Sequence, residues 1–188
     1  MNSTPDRYHW TWSLDADVEP QFDESLQLIG YWASKGSGGI PLRTDLDASV
    51  IHTFIPNLFV ASFDPARADY CYDVVGQEVA SAFDIDDHGR LVGQVFPDPA
   101  TAQAIRRLYH RVIREERPIV SAGEVQGPGG ARATVEIVRL PVRETAARTV
   151  ILGAIFFIDA LDEVGDDRPA VRATPCRGSS GRRGRTPA

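Results

Sequence analysis

The side chains that most often do chemistry are scattered in this sequence. Its four histidines, His9, His52, His88 and His110, share no paired ligand spacing, so no zinc-type site is expected. The densest polar group is Asp84, Asp86, Asp87 and His88, within DIDDHGRLVG at 84–93. It could hold a cation, but a solvated acidic loop is the stronger reading. Cys71 lies in a β-prone run and reads as a small buried hydrophobe rather than a reactive thiol. GSGG at 36–39 and GPGG at 127–130 lack the Lys-Ser/Thr ending of a phosphate loop. No Ser-His-Asp, Cys-His or general-acid carboxylate pair stands out, and the acidic residues read as turn or polar-face positions. Arg106, Arg107, Arg111 and Arg114 could present an anion-binding face, but with Glu115 and Glu116 following, a salt-bridged solvated face is favoured. That leaves a tyrosine pair. Tyr70, Tyr72 and Val74 alternate with Cys71, Asp73 and Val75, so one set faces the interior and the other does not. Tyr72 either lines a pocket or serves as ordinary strand packing.

The elements that must position these residues follow from pattern. Residues 1–20 are polar and aperiodic and read as a flexible arm. Phe22, Leu26, Ile29 and Ala33 recur on one helical face, widened by Leu28 and Trp32, and KGSGG ends the helix. Asp47 N-caps a short helix that Pro56 ends. LFVASF (58–63) and DYCYDVV (69–75) form an antiparallel hairpin. Gly76 then turns the chain straight into a helix, QEVASAF, where glycine permits the backbone angles and removes a side chain. Residues 84–93 read as a polar loop. Pro99 opens the longest helix, with Ile105, Leu108, Tyr109, Val112 and Ile113 on one face, and Pro118 closes it. IVSAGEV (119–125) pairs with RATVEIVRLPV (132–142) across QGPGGA. ARTVILGAIFFID (147–159) is the most apolar strand and is expected at the centre. The order predicts an α+β domain: a five-stranded antiparallel sheet with the mid-chain helices on one face.

Composition narrows the class. The 188 residues are 43% hydrophobic with a net charge of −6, enough for one domain with a real core. After residue 165 six arginines face two aspartates, leaving 14 basic and 24 acidic side chains in the rest. So acidic a body is a poor nucleic-acid or anionic-membrane binder. The longest apolar run, 150–158, is too short to span a bilayer as a helix. The N-terminus has no apolar signal core, and Cys71 and Cys176 make no disulfide framework, so a cytoplasmic protein is expected. Residues 161–188 read as a disordered, arginine-rich tail.

Order and residues together resemble a PAS domain, and more narrowly the stand-alone PAS_5 family typical of alphaproteobacteria. LIGYWASKGSGGIPLRTDLDASVI is similar to that family's lead-in, and IPNLFVASF to its first strand. YDVVGQEVASAFD resembles its strand-to-helix corner, and LPV with VILGAIFF its final hairpin. REERPIVSAG resembles a Gly-x-Pro entry into the third strand, with Glu116 where glycine is common. The family's Phe-Gly-x-Asp-Leu-x-Gly after the short helix is replaced here by Phe83 and the longer acidic DIDDHGRLVG, in the segment that rims the ligand cleft of PAS folds.

The resemblance implies the domain over residues 21–160, flanking helix included. It implies a cleft over the sheet, for which Tyr72, Val74, Phe83, Ile105, Leu108, Val112 and Gly153 are the candidate lining. It also implies a flanking helix that meets a second subunit or a partner, here through Phe22, Leu26, Ile29 and Trp32. Haem is not expected, because counting back from 116–118 puts the ligating position nearer Ile105 than His110. Flavin photochemistry is not expected either, since the Asn-Cys-Arg-Phe context is missing. The expected function is sensory or regulatory, through a small ligand, a homodimer, or a signalling partner such as a histidine kinase, with about 24 tail residues too few for an output module. The alternatives are a small cone-fold enzyme of the nuclear-transport-factor-2-like kind and a ligand-free interaction module.

Overall fold

A computed structural model describes residues 11–83, 89–126 and 132–159. Six strands form one antiparallel sheet: β1 (Thr11–Ala16), β2 (Leu58–Asp64), β3 (Asp69–Val75), β4 (Ile119–Gln126), β5 (Arg132–Thr145) and β6 (Arg148–Asp159). Their order across the sheet is β1-β4-β5-β6-β2-β3, so the apolar β5 and β6 are central, as their composition requires. The helices are α1 (Asp23–Lys35), α2 (Ala48–Ile51), α3 (Gln77–Phe83), α4 (Val92–Val95) and α5 (Pro99–Glu115).

The sixth strand corrects the expected five. β1 comes from the segment read as a flexible arm, and it pairs with β4 from Thr11↔Gln126 to Ala16↔Ser121. The clue is the alternation of Trp12, Leu14 and Ala16 with Thr11, Ser13 and Asp15. Asp17, at φ 64°, ends the strand and binds Arg117 and Arg111, tying β1 to the end of α5. A second correction is α4, which begins inside the stretch read as a polar loop; Val92 on it is fully buried. The acidic Asp84, Asp86, Asp87 and His88, residues 127–131 of the QGPGGA turn and the arginine-rich tail lie outside the described residues.

Both faces of the sheet are covered. On the inner face α3, α4 and α5 contribute Val79, Val92, Ala102, Tyr109 and Val112 to one core. On the outer face Phe22, Leu28 and Trp32 from the α1 region pack on Val138, Leu140, Leu152 and Phe156 in a second core. The face that α1 buries is therefore Phe22, Ser25, Leu28, Ile29 and Trp32, not the stripe through Leu26 and Ala33; Leu26 is 49% exposed. The polar Ser25 in the middle of the true face hides it from a hydrophobicity count.

Polar anchors fix α1 on the sheet. The buried Glu136 of β5 accepts the amides of Gln21 (2.6 Å) and Phe22 (3.2 Å), so a strand carboxylate caps the start of the helix. The Trp32 indole donates to the Pro141 carbonyl at 2.7 Å, and the Tyr31 hydroxyl accepts the Asp47 amide at 2.6 Å. The Tyr-Trp pair thus joins α1 to both β5 and α2.

Gly76 answers to crowding, not to special angles. It has no positive φ. A Cβ there would stand 2.3 Å from the Ile55 carbonyl oxygen and 2.4 Å from that of Pro56. The 3-10 turn His52–Asn57 runs directly against the corner, and the Gly76 amide donates to Leu58 at 2.7 Å. Backbone cannot yield as a side-chain tip can, so Gly76→Ala should destabilise the fold by about 3 kcal/mol in denaturant unfolding. Glu116, by contrast, does sit in the left-handed region, at φ 51° and ψ 35°, as the C-cap of α5. Glu116→Gly should therefore stabilise by about 1 kcal/mol, read as a raised melting temperature.

Candidate functional site

From Ala133 to Pro141 the inner face of β5 is apolar with one exception. Its inward positions run Ala133, Val135, Ile137, Arg139. Arg139 is only 5% exposed. Its Nη1 donates to the Ser121 hydroxyl of β4 (3.0 Å) and to the Ile137 carbonyl (3.2 Å). Its Nε is buried without a partner. The guanidinium carbon lies 5.9 Å from the centre of the Tyr109 ring of α5. Among the described residues it makes no ion pair.

The electrostatics leave a deficit. Burial pushes the Arg139 guanidinium below its ordinary value, yet an arginine stays charged in a protein. Its neighbours cannot become anions to match it. Burial, reinforced by the nearby Tyr109, raises the Tyr72 hydroxyl, and burial likewise raises that of Tyr109. Both remain neutral phenols, joined hydroxyl to hydroxyl at 2.9 Å. A cation–π contact contributes about 1–2 kcal/mol, whereas the penalty for burying an ion is several kcal/mol.

Rings extend from this point to the surface. Phe59 stacks on Tyr109 at 6.4 Å and meets Tyr72 edge-on at 5.7 Å. Tyr70 meets Tyr109 edge-on at 5.1 Å, and its hydroxyl lies 3.1 Å from His110 Nδ1. The pairing of β2 with β6 ends at Ala61↔Ile151. Beyond it lies an open cleft of about 830 Å³, lined by Phe63, Tyr70, His110, Ile113 and Thr149 among others. One aromatic layer thus runs from an open cleft inward to a buried cation.

Asp69 holds the roof over this layer. Its carboxylate, 5% exposed with its residue, accepts Arg106 Nε (2.8 Å) and Nη2 (2.7 Å) from α5. It also accepts the amides of Gly93 on α4 (3.1 Å) and Tyr70 (2.8 Å). Burial pushes the carboxyl up, but the Arg106 guanidinium and the two amides together hold it below its ordinary value. Cys71, half-buried beside it, is pushed up by burial and by Asp73, which keeps it a thiol.

Most of the expected lining residues meet on the inner face. Tyr72 and Val112 are in its core, with Ile105 and Leu108 packed against them. Gly153 is there too, but the Phe59 ring lies across it: a Cβ would stand 2.0 Å from that ring. Val74 is not with them. Asp73 is an extra residue between the pairs Ala61↔Tyr72 and Val60↔Val74, and this bulge leaves Val74 40% exposed. The Phe83 side chain lies outside what is described. Of the partner-face residues, Phe22 and Trp32 are buried in the chain's own outer core and Ile29 is half-buried, leaving Leu26 outward. Sequence reasoning missed Arg139, Phe59 and Asp69 and placed acidic residues in turns or on polar faces. The available signal was a lone arginine at an inward position of an alternating strand.

Among the described residues no group of three His, Cys, Asp or Glu side chains is placed to hold a metal ion. None of their helices is long and apolar enough to cross a membrane. A family model described as PAS domain, PAS_5, matches residues 21–156. No curated protein matches the chain. The chain belongs to the PAS domain family, whose members are generally sensory or interaction modules rather than catalysts.

Asp69→Asn should cost about 3 kcal/mol, the penalty for breaking a buried pair. Because the folded carboxyl is depressed, its contribution is complete above the unfolded value near pH 4 and fades as pH falls through the lower folded value. Urea unfolding should therefore show the gap between wild type and variant at pH 7 and its narrowing toward pH 3.

Proposed function

We infer that this is a PAS sensory protein that works by binding a small molecule on the inner face of the sheet, beneath α5. The observation that carries this is the polar set within that face: a buried guanidinium and a tyrosine hydroxyl pair where a packing-only module needs aliphatic side chains. The cone-fold enzyme reading loses support because α5 packs down onto the inner face, where the Ser121 hydroxyl already accepts from Arg139.

The output travels through β5. The strand carries Arg139 on its inner face and Glu136, which holds the start of α1, on its outer face. A ligand that favours one arrangement of β5 therefore shifts what α1 presents, Leu26 included. The receiver is a second copy of the chain or a signalling protein such as a histidine kinase in a bacterial cytoplasm.

Native mass spectrometry of the purified full chain, with an absorption spectrum, tests this reading. A small-molecule mass that leaves on denaturation is the expected result. A bare chain whose melting temperature is unmoved by any fraction of a metabolite extract would instead mark a ligand-free interaction module.

A further inference from the structure

The class of ligand follows from charge, given that the inner face binds one at all. Asp69 is matched by Arg106. The buried Glu136 is matched by two amides at the start of α1. Arg139 alone among these buried charges meets only neutral oxygens and a ring face, and its Nε meets nothing. The guanidinium is a planar fork built to take a carboxylate on two parallel donors. Here Nη1 is engaged by Ser121 and Ile137 and the guanidinium also meets the Tyr109 hydroxyl, so the donor left without a partner is Nε.

We propose that Arg139 anchors a small monocarboxylate. Its carboxylate takes the Nε edge of the guanidinium, the Tyr72 and Tyr109 hydroxyls turn to donate to it, and its hydrocarbon part lies against the Phe59 and Tyr109 rings. A single negative charge is specified because a single guanidinium is unmatched. Arg106, which α5 turns toward the sheet, is held by both oxygens of Asp69. A dianion such as phosphate would leave its second charge unmatched in the interior. The apolar part is specified by the rings, which offer faces and no further donors.

Room is supplied by Gly153. It is the register partner of Arg139 on β6, so the floor beside the guanidinium has no side chain of its own. The Phe59 ring occupies that floor. A ring can swing about its side-chain bonds where a backbone cannot move, so Phe59 yields the floor to the ligand's hydrocarbon and stays packed against it.

The test is thermal unfolding of the full chain and of Arg139→Met with sodium acetate, butyrate and benzoate. Butyramide, sodium phosphate and sodium chloride at matched ionic strength are the controls. At least one carboxylate should raise the wild-type melting temperature saturably, by about 5–10 °C at a hundredfold excess over its Kd. The amide, phosphate and chloride should not. Arg139→Met should melt at or above the ligand-free wild type, since an unmatched charge has gone, and should not respond to any carboxylate. Equal responses to butyrate and butyramide, a response retained in Arg139→Met, or a variant melting well below wild type would each overturn the proposal. Native mass spectrometry of the same two proteins separates the two readings. A neutral mass carried equally by both would leave the sensory reading standing and remove the carboxylate, whereas no bound mass and no response to any probe would remove both.

Discussion

Three elements cross at Asp69. It stands at the start of β3, and its two oxygens collect a guanidinium from α5, an amide from α4 and the amide of Tyr70. Taking a carboxylate out of water costs several kcal/mol, and the cost is tolerated only where the charge is met and the lone pairs are used. Here they are. The roof over the inner face is consequently not free to choose its distance from the sheet, because α4 and α5 both end at the same pair of oxygens. The edge of β3 shares this arrangement. Tyr72 exchanges backbone hydrogen bonds with Gly89 and Arg90 just before α4 begins, which covers part of an otherwise open strand.

β5 is the counterpart at the centre of the sheet. It carries two buried charges three residues apart, and the two-residue period of a strand sends them to opposite faces. Glu136 finds its complement in a helix start and becomes a structural fastening. Arg139 finds only polar neutral groups. The difference between the two is the difference between a satisfied core and a receptive one, and it separates the outer layer, which is packed and capped, from the inner layer, which is aromatic, polar and open at one end.

Much of this was legible in the residues. The start of α5 follows from Pro99 in its first turn and its close from Pro118; the structure adds Asp98, which accepts the Thr101 amide, as the cap, and Glu116, where the family pattern places glycine, as the end. The left-handed angles at Glu116 explain that pattern. The strand-to-helix corner was also visible, but its reason was not: the clash that makes Gly76 necessary is with a segment some twenty residues earlier, and only the fold brings the two together. The same limit hid the site. Arg139 and Glu136 look like solvent-facing residues in a strand whose neighbours are unknown, and a one-residue bulge at Asp73 reverses the side on which Val74 lies. On α1 the stripes through Leu26 and Leu28 both fit a helical period, and the choice between them rests on the sheet beneath.

The strand order also sets a timetable for the chain as it is made. β2 and β3 are neighbours in sequence and can pair early, yet among the described residues they join the remaining strands through β6 alone, by Leu58↔Ala154 and its neighbours. β1 waits in the same way for β4, more than a hundred residues on. Loop closure over such distances is slow compared with the local hairpins β4–β5 and β5–β6. On the ribosome, the first half of the molecule therefore emerges as a hairpin and helices with an apolar face uncovered. The inner layer, Arg139 included, comes into existence only when the final strand slots between two sheets-in-waiting.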